Sequence, residues 1–154
     1  MSFNQTVGPP RERLSRPRLY MGVAELHAQR GTCLRAQVGV TAVRDHRIIA
    51  SGYVGAPAGM PHCLDLGCDI ENGGCIRSVH AEANMIAWAA REGISLHNSI
   101  FWCTHSPCFN CAKLISNIGI RGLVYKQAYR DNRGVELLIN QDIRVNTFQR
   151  VLNA

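Results

Sequence analysis

Two short segments constrain the fold of this chain more than any other feature, because each supplies only part of one candidate metal site. The first reads HAE at residues 80–82 and the second reads PCFNC at residues 107–111. One histidine and two cysteines are a typical donor set for a zinc ion that keeps its fourth position open for water. The fold must therefore bring His80, Cys108 and Cys111 to one point from distant parts of the chain.

Both segments are predicted to begin a helix. Cys108 and Cys111 share a helix face because they are three residues apart, and the N–H groups at a helix N-terminus favour thiolates. His80 and Glu82 are two residues apart and cannot share a face inside a regular helix. They are therefore predicted at the very start of their helix, where Glu82 can flank the metal-bound water without being a ligand.

The rest of the chain alternates apolar, β-branched segments with helical ones. The predicted elements, in chain order, are a helix over 19–30, a hairpin of QVGVTAV and RIIASGY around RDH, a long irregular loop over 52–74, a helix over 81–91, a strand at SIFWC, a helix with N-cap Ser106 and first-turn Pro107 that ends before Gly119, a strand at GLVY, a helix over 131–139 and a strand at IRVNTF. Strands that alternate with helices predict an α/β layered domain with parallel strand pairs toward its C-terminal half.

The length and composition predict one soluble domain. The 154 residues suit a single core, and we divide them into a basic N-terminal arm over residues 1–18 and one domain over residues 19–154. No segment reaches the roughly 20 apolar residues of a membrane span, and the N-terminus lacks the apolar run of a secretory signal. We therefore expect a cytoplasmic protein without a membrane partner. The net charge of +6 favours phosphate-bearing partners, but with 6% aromatic residues we do not expect nucleic acid to be one.

The two segments together match a known chemical signature. H-x-E followed by P-C-x-x-C is typical of zinc-dependent nucleobase deaminases. Over residues 32–148 the chain also resembles the deoxycytidylate (dCMP) deaminase family, in the segments QVGV, GYVGAPAG, VHAEAN, SPCFNCAKLI and YR after LVYKQA. The resemblance implies a three-layer α/β/α cytidine-deaminase-like fold, with a five-stranded mixed sheet and helices on both faces. It also implies a homohexamer.

The resemblance further implies the reaction and the substrate contacts. dCMP would be hydrolysed to dUMP and ammonia, which supplies dUMP for thymidylate synthesis. A zinc-activated water would add to C4 of cytosine, while Glu82 carries the proton to N3 and to the leaving amine. The amide of Ala81 would meet O2, the carbonyl of Ser106 would meet the amine, and Tyr129 would stack on the pyrimidine. Arg35, beside TC before the first strand, is the candidate for the phosphate.

Five cysteines remain outside the catalytic set. Cys103 ends an apolar strand and is predicted to be a buried, inert thiol. The other four flank or lie in the long loop, which has little apolar surface of its own: Cys33, Cys63, Cys68 and Cys75. Some phage and bacterial members of the resembled family carry a second zinc in this region, and a closed four-thiolate site would fix the loop. The alternatives are four free thiols or a site completed by His62.

The segment GYVGAP resembles a Gly-Tyr-Asn-Gly motif of the same family, where a deoxynucleoside triphosphate binds with Mg²⁺. In that family dCTP activates and dTTP inhibits. The allosteric residues that the resemblance implies are Gly52, Tyr53, Val54, Gly55, Trp88 and Arg91. Val54 stands where the motif has asparagine, so we expect weakened or altered regulation, although Gly52, Gly55 and Gly59 keep the backbone permissive. The alternative is a tight structural loop, with Trp88 packed and Arg91 solvated.

Two other functions stay open at this point. A transfer-RNA adenosine deaminase shares the zinc motif, but CAKLISNIGI, Tyr129 and the glycine-rich loop favour an enzyme that acts on a mononucleotide. A zinc-stabilised binding module would be no enzyme at all. Glu82 argues against the module, because a structural zinc site has no use for a carboxylate that is not a ligand.

Overall fold

The structure is a computed structural model that describes residue 8 and residues 11–154. Its elements, in chain order, are α1 (Arg16–Ala28), β1 (Gly39–Arg44), β2 (Arg47–Tyr53), α2 (Cys63–Leu66), β3 (Ile70–Glu71), β4 (Gly74–Cys75), α3 (Ala81–Arg91), β5 (Ile100–His105), α4 (Phe109–Ile118), β6 (Gly122–Gln127), α5 (Arg133–Asn140), β7 (Arg144–Thr147) and α6 (Phe148–Leu152). Within the described residues, no helix combines the length and the apolar character that a bilayer crossing requires.

Five strands form one mixed sheet in the order β2-β1-β5-β6-β7, and β3 and β4 form a separate hairpin. The strand β1 is antiparallel to both β2 and β5, whereas β5, β6 and β7 run parallel. The helices α4 and α5 connect the parallel strands. Two parallel neighbours need such a crossover, because it brings the chain back to the end of the sheet at which the first strand began. The predicted five-stranded mixed sheet is confirmed.

Helices cover both faces of the sheet. Successive side chains of a strand point to opposite faces, and on β5 Phe101 and Cys103 belong to one core cluster while Trp102 belongs to another. The first cluster includes Met85 of α3, Ile115 of α4 and Leu138 of α5. The second lies under α1 and α6, with Tyr20, Met21 and Phe148 packed on Trp102. The three-layer arrangement is therefore confirmed as well.

The first helix begins earlier than predicted. It starts at Arg16, with Ser15 as N-cap and Pro17 in its first turn. A proline in the first turn has the backbone angle of a helix already and loses no hydrogen bond there. Residues 16–18 of the predicted arm are therefore helical, while residues 1–7, 9 and 10 lie outside the described part of the chain. The division into an arm and one domain stays a prediction.

The start of α4 corrects a second prediction. Its N-cap is Cys108 and not Ser106, and the Cys108 thiol accepts a hydrogen bond from the amide of Cys111 at 3.5 Å. The Ser106 hydroxyl instead accepts a hydrogen bond from the amide of Tyr129 at 2.8 Å. The end of the helix is as predicted, because Gly119 adopts the left-handed conformation with φ of 72°.

Short elements in the loop and at the C-terminus escaped the sequence analysis. The long loop contains α2, whose start is capped by the Asp65 carboxylate on the amide of His62 at 2.9 Å. It also contains the β3–β4 hairpin, in which Asn72 and Gly73 both have positive φ. The predicted last strand ends at Thr147, which caps α6 by accepting a hydrogen bond from the amide of Arg150. Each of these elements has five residues or fewer, which is too short for a periodic pattern to show in the sequence.

Candidate active site

Three zinc-donor atoms converge at the C-terminal end of β5. The Nδ1 atom of His80 lies 3.4 Å from Sγ of Cys108 and 3.6 Å from Sγ of Cys111. A tetrahedral zinc with Zn–N of about 2.0 Å and Zn–S of about 2.3 Å separates such nitrogen and sulfur atoms by roughly 3.5 Å. The donor set and its spacing therefore fit one zinc ion, as predicted.

Two helix starts create this convergence. His80 is the N-cap of α3 and Cys108 is the N-cap of α4, both in extended conformation. The start of α3 is tied to the end of β2 by a bridge between Gly55 and Val79. The Asn84 side chain adds a hydrogen bond of 3.0 Å to the carbonyl of Tyr53. The metal ligands therefore sit where each helix leaves the sheet.

The pKa shifts of the donor side chains favour a positive charge between them. The hydrogen bond with Cys111, followed by the one with His80, lowers the pKa of Cys108 to about 4. The same contact with Cys108, together with burial, raises the pKa of Cys111. The hydrogen bond to Cys108 raises the pKa of His80. Positive charge is therefore favoured beside Cys108, which is the place where the sequence analysis expected the metal.

Glu82 lies in the first turn of α3 and is 4% exposed. Burial raises the pKa of this carboxyl above its usual value. Its oxygens are not among the three grouped donor atoms. A buried carboxyl with a raised pKa, beside a metal site but outside it, is suited to accept and donate a proton. Glu82 therefore stays our candidate for the proton shuttle.

A cavity of about 250 Å³ opens over these groups. Each of the four predicted substrate-binding residues lines it, namely Ala81, Ser106, Tyr129 and Arg35. A second, more open depression of about 500 Å³ lies beside Arg121 and Arg144 at the other end of the parallel strands, and none of the zinc donors lines it. The chemistry therefore belongs to the smaller cavity.

Two ionisable lining residues, Arg130 and His105, were not assigned from the sequence. Arg130 follows Tyr129, and its guanidinium lies 5.6 Å from the centre of the Tyr129 ring. His105 ends β5, with Nδ1 at 3.1 Å from the Thr104 hydroxyl, and burial lowers its pKa. The YR pair was the available signal for Arg130. For His105, its place next to Ser106 at a strand end was the only hint.

The predicted allosteric residues lie at two places, the end of β2 with the residues after it and the C-terminal half of α3. Val54, 5% exposed, lines the catalytic cavity. Gly52 packs so closely on α3 that a Cβ atom would lie 2.6 Å from the carbonyl oxygen of Ala81. Trp88 is 45% exposed, and Arg91 forms an exposed ion pair with Glu92 at 3.2 Å. An effector role for the GYVGAP segment stays a prediction.

A group of three cysteine side chains lies beside the cavity. The sulfurs of Cys63, Cys68 and Cys75 lie within 4.8 Å of one another, with 3.6 Å between Cys63 and Cys75. That separation is close to the roughly 3.8 Å expected for two thiolates on a tetrahedral zinc, and it is far longer than a disulfide bond of about 2.05 Å. Burial raises the pKa of the Cys75 thiol, but hydrogen bonds from Ser78 outweigh burial and lower this pKa to about 6. We call these three residues the thiol cluster.

The other candidate ligands stand next to the thiol cluster. Cys33 is outside the group, although it lines the cavity together with Ser78 and Cys75. The His62 ring directs Nδ1 to the hydroxyl of Thr32 at 3.0 Å. Cys103 is fully buried in the core, and burial raises its pKa, which confirms the predicted inert thiol.

Comparisons with known proteins agree with this site. A family model described as cytidine and deoxycytidylate deaminase zinc-binding region matches residues 14–127. ComE operon protein 2 of Bacillus subtilis is 38% identical over 130 residues, which are 84% of this chain and 69% of that protein. Deoxycytidylate deaminase of Saccharomyces cerevisiae is 35% identical over 136 residues, 84% of this chain, but the match spans only 43% of the yeast protein.

A solved structure matches the fold closely. The dCMP deaminase of cyanophage S-TIM5, in complex with dCMP and dUMP, superposes with a TM-score of 0.76 at 34% identity and covers 84% of this chain and 93% of its own. The fold, the donor set and the buried glutamate thus define a zinc-dependent deaminase. The chain belongs to the cytidine and deoxycytidylate deaminase family. Its predicted place in that family, as an enzyme of the deoxycytidylate deaminase kind, is confirmed.

Proposed function

We propose that the protein hydrolyses dCMP to dUMP and ammonia. The observation that carries this proposal is one cavity lined by two of the three zinc donors, His80 and Cys108, together with Glu82 and two arginines, Arg35 and Arg130. Among the described lining residues Glu82 is the only acid, and it is buried. The mouth of the cavity is therefore cationic, which suits a phosphate next to the base. The cyanophage protein with dCMP and dUMP supports the same substrate.

Each step of the reaction has a residue suited to it. When bound, zinc supplies an activated water as the nucleophile. Glu82 would take one proton from that water and pass it to N3 of the base, and would then carry a second proton, from the new C4 hydroxyl, to the amine that leaves as ammonia. Burial raises the pKa of this carboxyl, which favours the protonated form that donates to the base. Addition at C4 followed by loss of ammonia converts cytosine to uracil.

The cavity walls hold the base in place. Ala81 is the first residue of α3, so its N–H has no partner inside the helix and can donate to O2 of the base. The carbonyl of Ser106 can accept from the amine. The Ser106 hydroxyl fixes the backbone of Tyr129 at 2.8 Å, which steadies the ring for stacking on the pyrimidine, worth about 1–3 kcal/mol.

Ammonia release tests this proposal. Purified protein is incubated with dCMP, deoxycytidine, single-stranded DNA and transfer RNA, and dCMP is expected to react fastest. Arg130→Ala should raise KM for dCMP about tenfold or more, since a hydrogen bond to a charged group is lost. The exposed Arg121, at the far end of the strands, is the matched control, and Arg121→Ala should leave KM unchanged. Faster release from transfer RNA or from deoxycytidine would contradict the proposal.

A second zinc ion is also part of the proposed function. The spacing of the thiol cluster supports it, and three thiolates leave one position for a further ligand. Cys33 is our candidate for that position because it lines the same cavity as Ser78 and Cys75. His62 is the alternative. In this role the metal is structural, since Cys63 and Cys75 tie α2 to the hairpin.

The finer parts of the proposal rest on the family resemblance. They are supply of dUMP for thymidylate synthesis, activation by dCTP and inhibition by dTTP with Mg²⁺, a homohexamer and a cytoplasmic location. Exposed apolar side chains such as Leu64, Leu66 and Trp88 support burial of this surface in an assembly. For regulation, the GYVGAP segment supplies the glycines that let a backbone approach phosphates.

A further inference from the structure

We propose that the thiol cluster, through the β3–β4 hairpin, positions Arg35 for the substrate phosphate. The second metal site would then contribute to phosphate recognition in addition to stabilising the loop. The inference rests on the proposed function, because it assigns a substrate group to Arg35.

The hairpin belongs to the thiol cluster and to the catalytic cavity at once. Cys75 of β4 contributes a thiol to the cluster and also lines the cavity, together with Gly73 and Gly74. The Nη1 atom of Arg35 donates a hydrogen bond of 2.8 Å to the carbonyl of Gly73. Cys33, two residues before Arg35, lines the same cavity as Cys75. Arg35 is therefore held at the hairpin by its guanidinium, next to the thiol-rich region.

The hairpin is too small to hold this position alone. Each strand has two residues, and even longer isolated hairpins are only marginally stable in water. Ile70 and Ile76 are 52% and 59% exposed, so little apolar surface anchors it. Apart from the Arg35 bond to Gly73, the described contacts that hold it are the Cys75 thiol beside Cys63 and, at its base, a hydrogen bond of 3.2 Å from Arg77 to the carbonyl of Gly67. A metal that joins Cys75 to Cys63 and Cys68 is what would lock it.

The catalytic donors do not share this dependence. His80, Cys108 and Cys111 are carried by α3 and α4, which pack in the main core. Loss of the cluster metal should therefore free the Gly73 carbonyl and with it Arg35, while the catalytic zinc remains. A guanidinium has five N–H donors, so one can bind Gly73 while others bind a phosphate.

The test measures product binding and metal content in Cys68→Ser, because Cys68 does not line the cavity. Calorimetry compares dUMP with deoxyuridine, which lacks the phosphate. We expect the zinc content to fall from two per chain to one and the dUMP affinity to fall about tenfold, with deoxyuridine affinity within twofold of wild type. Asp69→Asn, an exposed neighbour outside the cluster, is the matched control and should bind dUMP like wild type.

Two more variants separate positioning from folding. Gly73→Val disturbs a turn whose φ of 77° disfavours a β-branched residue, and it should weaken dUMP binding while both zinc ions stay. Arg35→Ala should weaken dUMP about tenfold or more, and the exposed Arg30→Ala should not. Unchanged dUMP affinity in Cys68→Ser with one zinc lost, or in Arg35→Ala, overturns the inference. The proposed function fails separately, if the wild-type protein releases no ammonia from dCMP.

Discussion

At the scale of single residues, the proposed role of Glu82 can be tested apart from metal binding. The carboxyl is buried beside the zinc donors but is not one of them. Glu82→Gln should therefore retain the catalytic zinc while kcat falls by at least about 10², the contribution of general acid–base catalysis. Metal analysis beside the ammonia assay checks this, and Glu92→Gln, at the exposed C-cap of the same helix, is the control. Loss of zinc with activity retained would refute the assignment.

His105 makes a residue-scale prediction about pH. Burial lowers its pKa in the folded protein, so the folded state takes up a proton at lower pH than the unfolded state does. The stability that depends on neutral His105 is present above the unfolded pKa of about 6.5 and is lost as the pH falls below it. His105→Gln should therefore show a smaller drop in the thermal unfolding midpoint between pH 7.5 and 5.5 than wild type. An equal drop would contradict this.

At the scale of elements, the contact between β2 and α3 has almost no spare space. A Cβ atom at Gly52 would lie 2.6 Å from the carbonyl oxygen of Ala81 and 2.8 Å from Cβ of Met85. Gly52→Ala should therefore destabilise the protein by about 1–3 kcal/mol, as overpacking does. Gly22 in α1 is the matched control, because a Cβ there meets nothing within 4 Å. Gly22→Ala should stabilise the protein by about 0.5–1 kcal/mol. Opposite shifts of the thermal unfolding midpoint are the expected result.

The loop between β2 and α3 makes an element-scale prediction about metal. It contains α2 and the β3–β4 hairpin, whose cysteines Cys63, Cys68 and Cys75 converge. Protein that has met neither chelator nor oxidant should contain two zinc ions per chain. Chelation should lower the thermal unfolding midpoint in steps, one for each zinc, since a metal bound at the thiol cluster would stabilise only this loop. A single zinc per chain in wild-type protein would rule out the second site.

At the scale of the whole molecule, regulation is the open part of the proposed function. Titration of dCTP and dTTP against dCMP turnover with Mg²⁺ should shift the rate in opposite directions. Flat rates with both nucleotides would show that GYVGAP is structural only. Because Val54 lines the catalytic cavity, Val54→Asn should alter KM for dCMP as well as effector potency, while zinc content stays the same. An effect on potency with KM unchanged would place the residue in a separate effector site.

Helix starts were readable from local sequence. The spacing of His80 and Glu82 places both at the beginning of a helix, and the spacing of Cys108 and Cys111 places two thiols on one face. Geometry within four residues decides such features, so neighbours in the sequence carry the information. The same reasoning misplaced the N-cap of α4 at Ser106, because a thiol took the capping role that a hydroxyl usually has.

Long-range packing decided the rest. The sequence does not show that Arg130 and His105 meet Arg35 in one cavity, nor that Val54 lines it, because these residues come from segments that only the folded sheet brings together. The same holds for the hairpin, where Cys75 reaches Cys63 through an Asn-Gly turn too short for a periodic signal. Spacing along the chain specifies a helix end or a turn, whereas the distance between separate segments depends on how the whole sheet twists and how its helices pack.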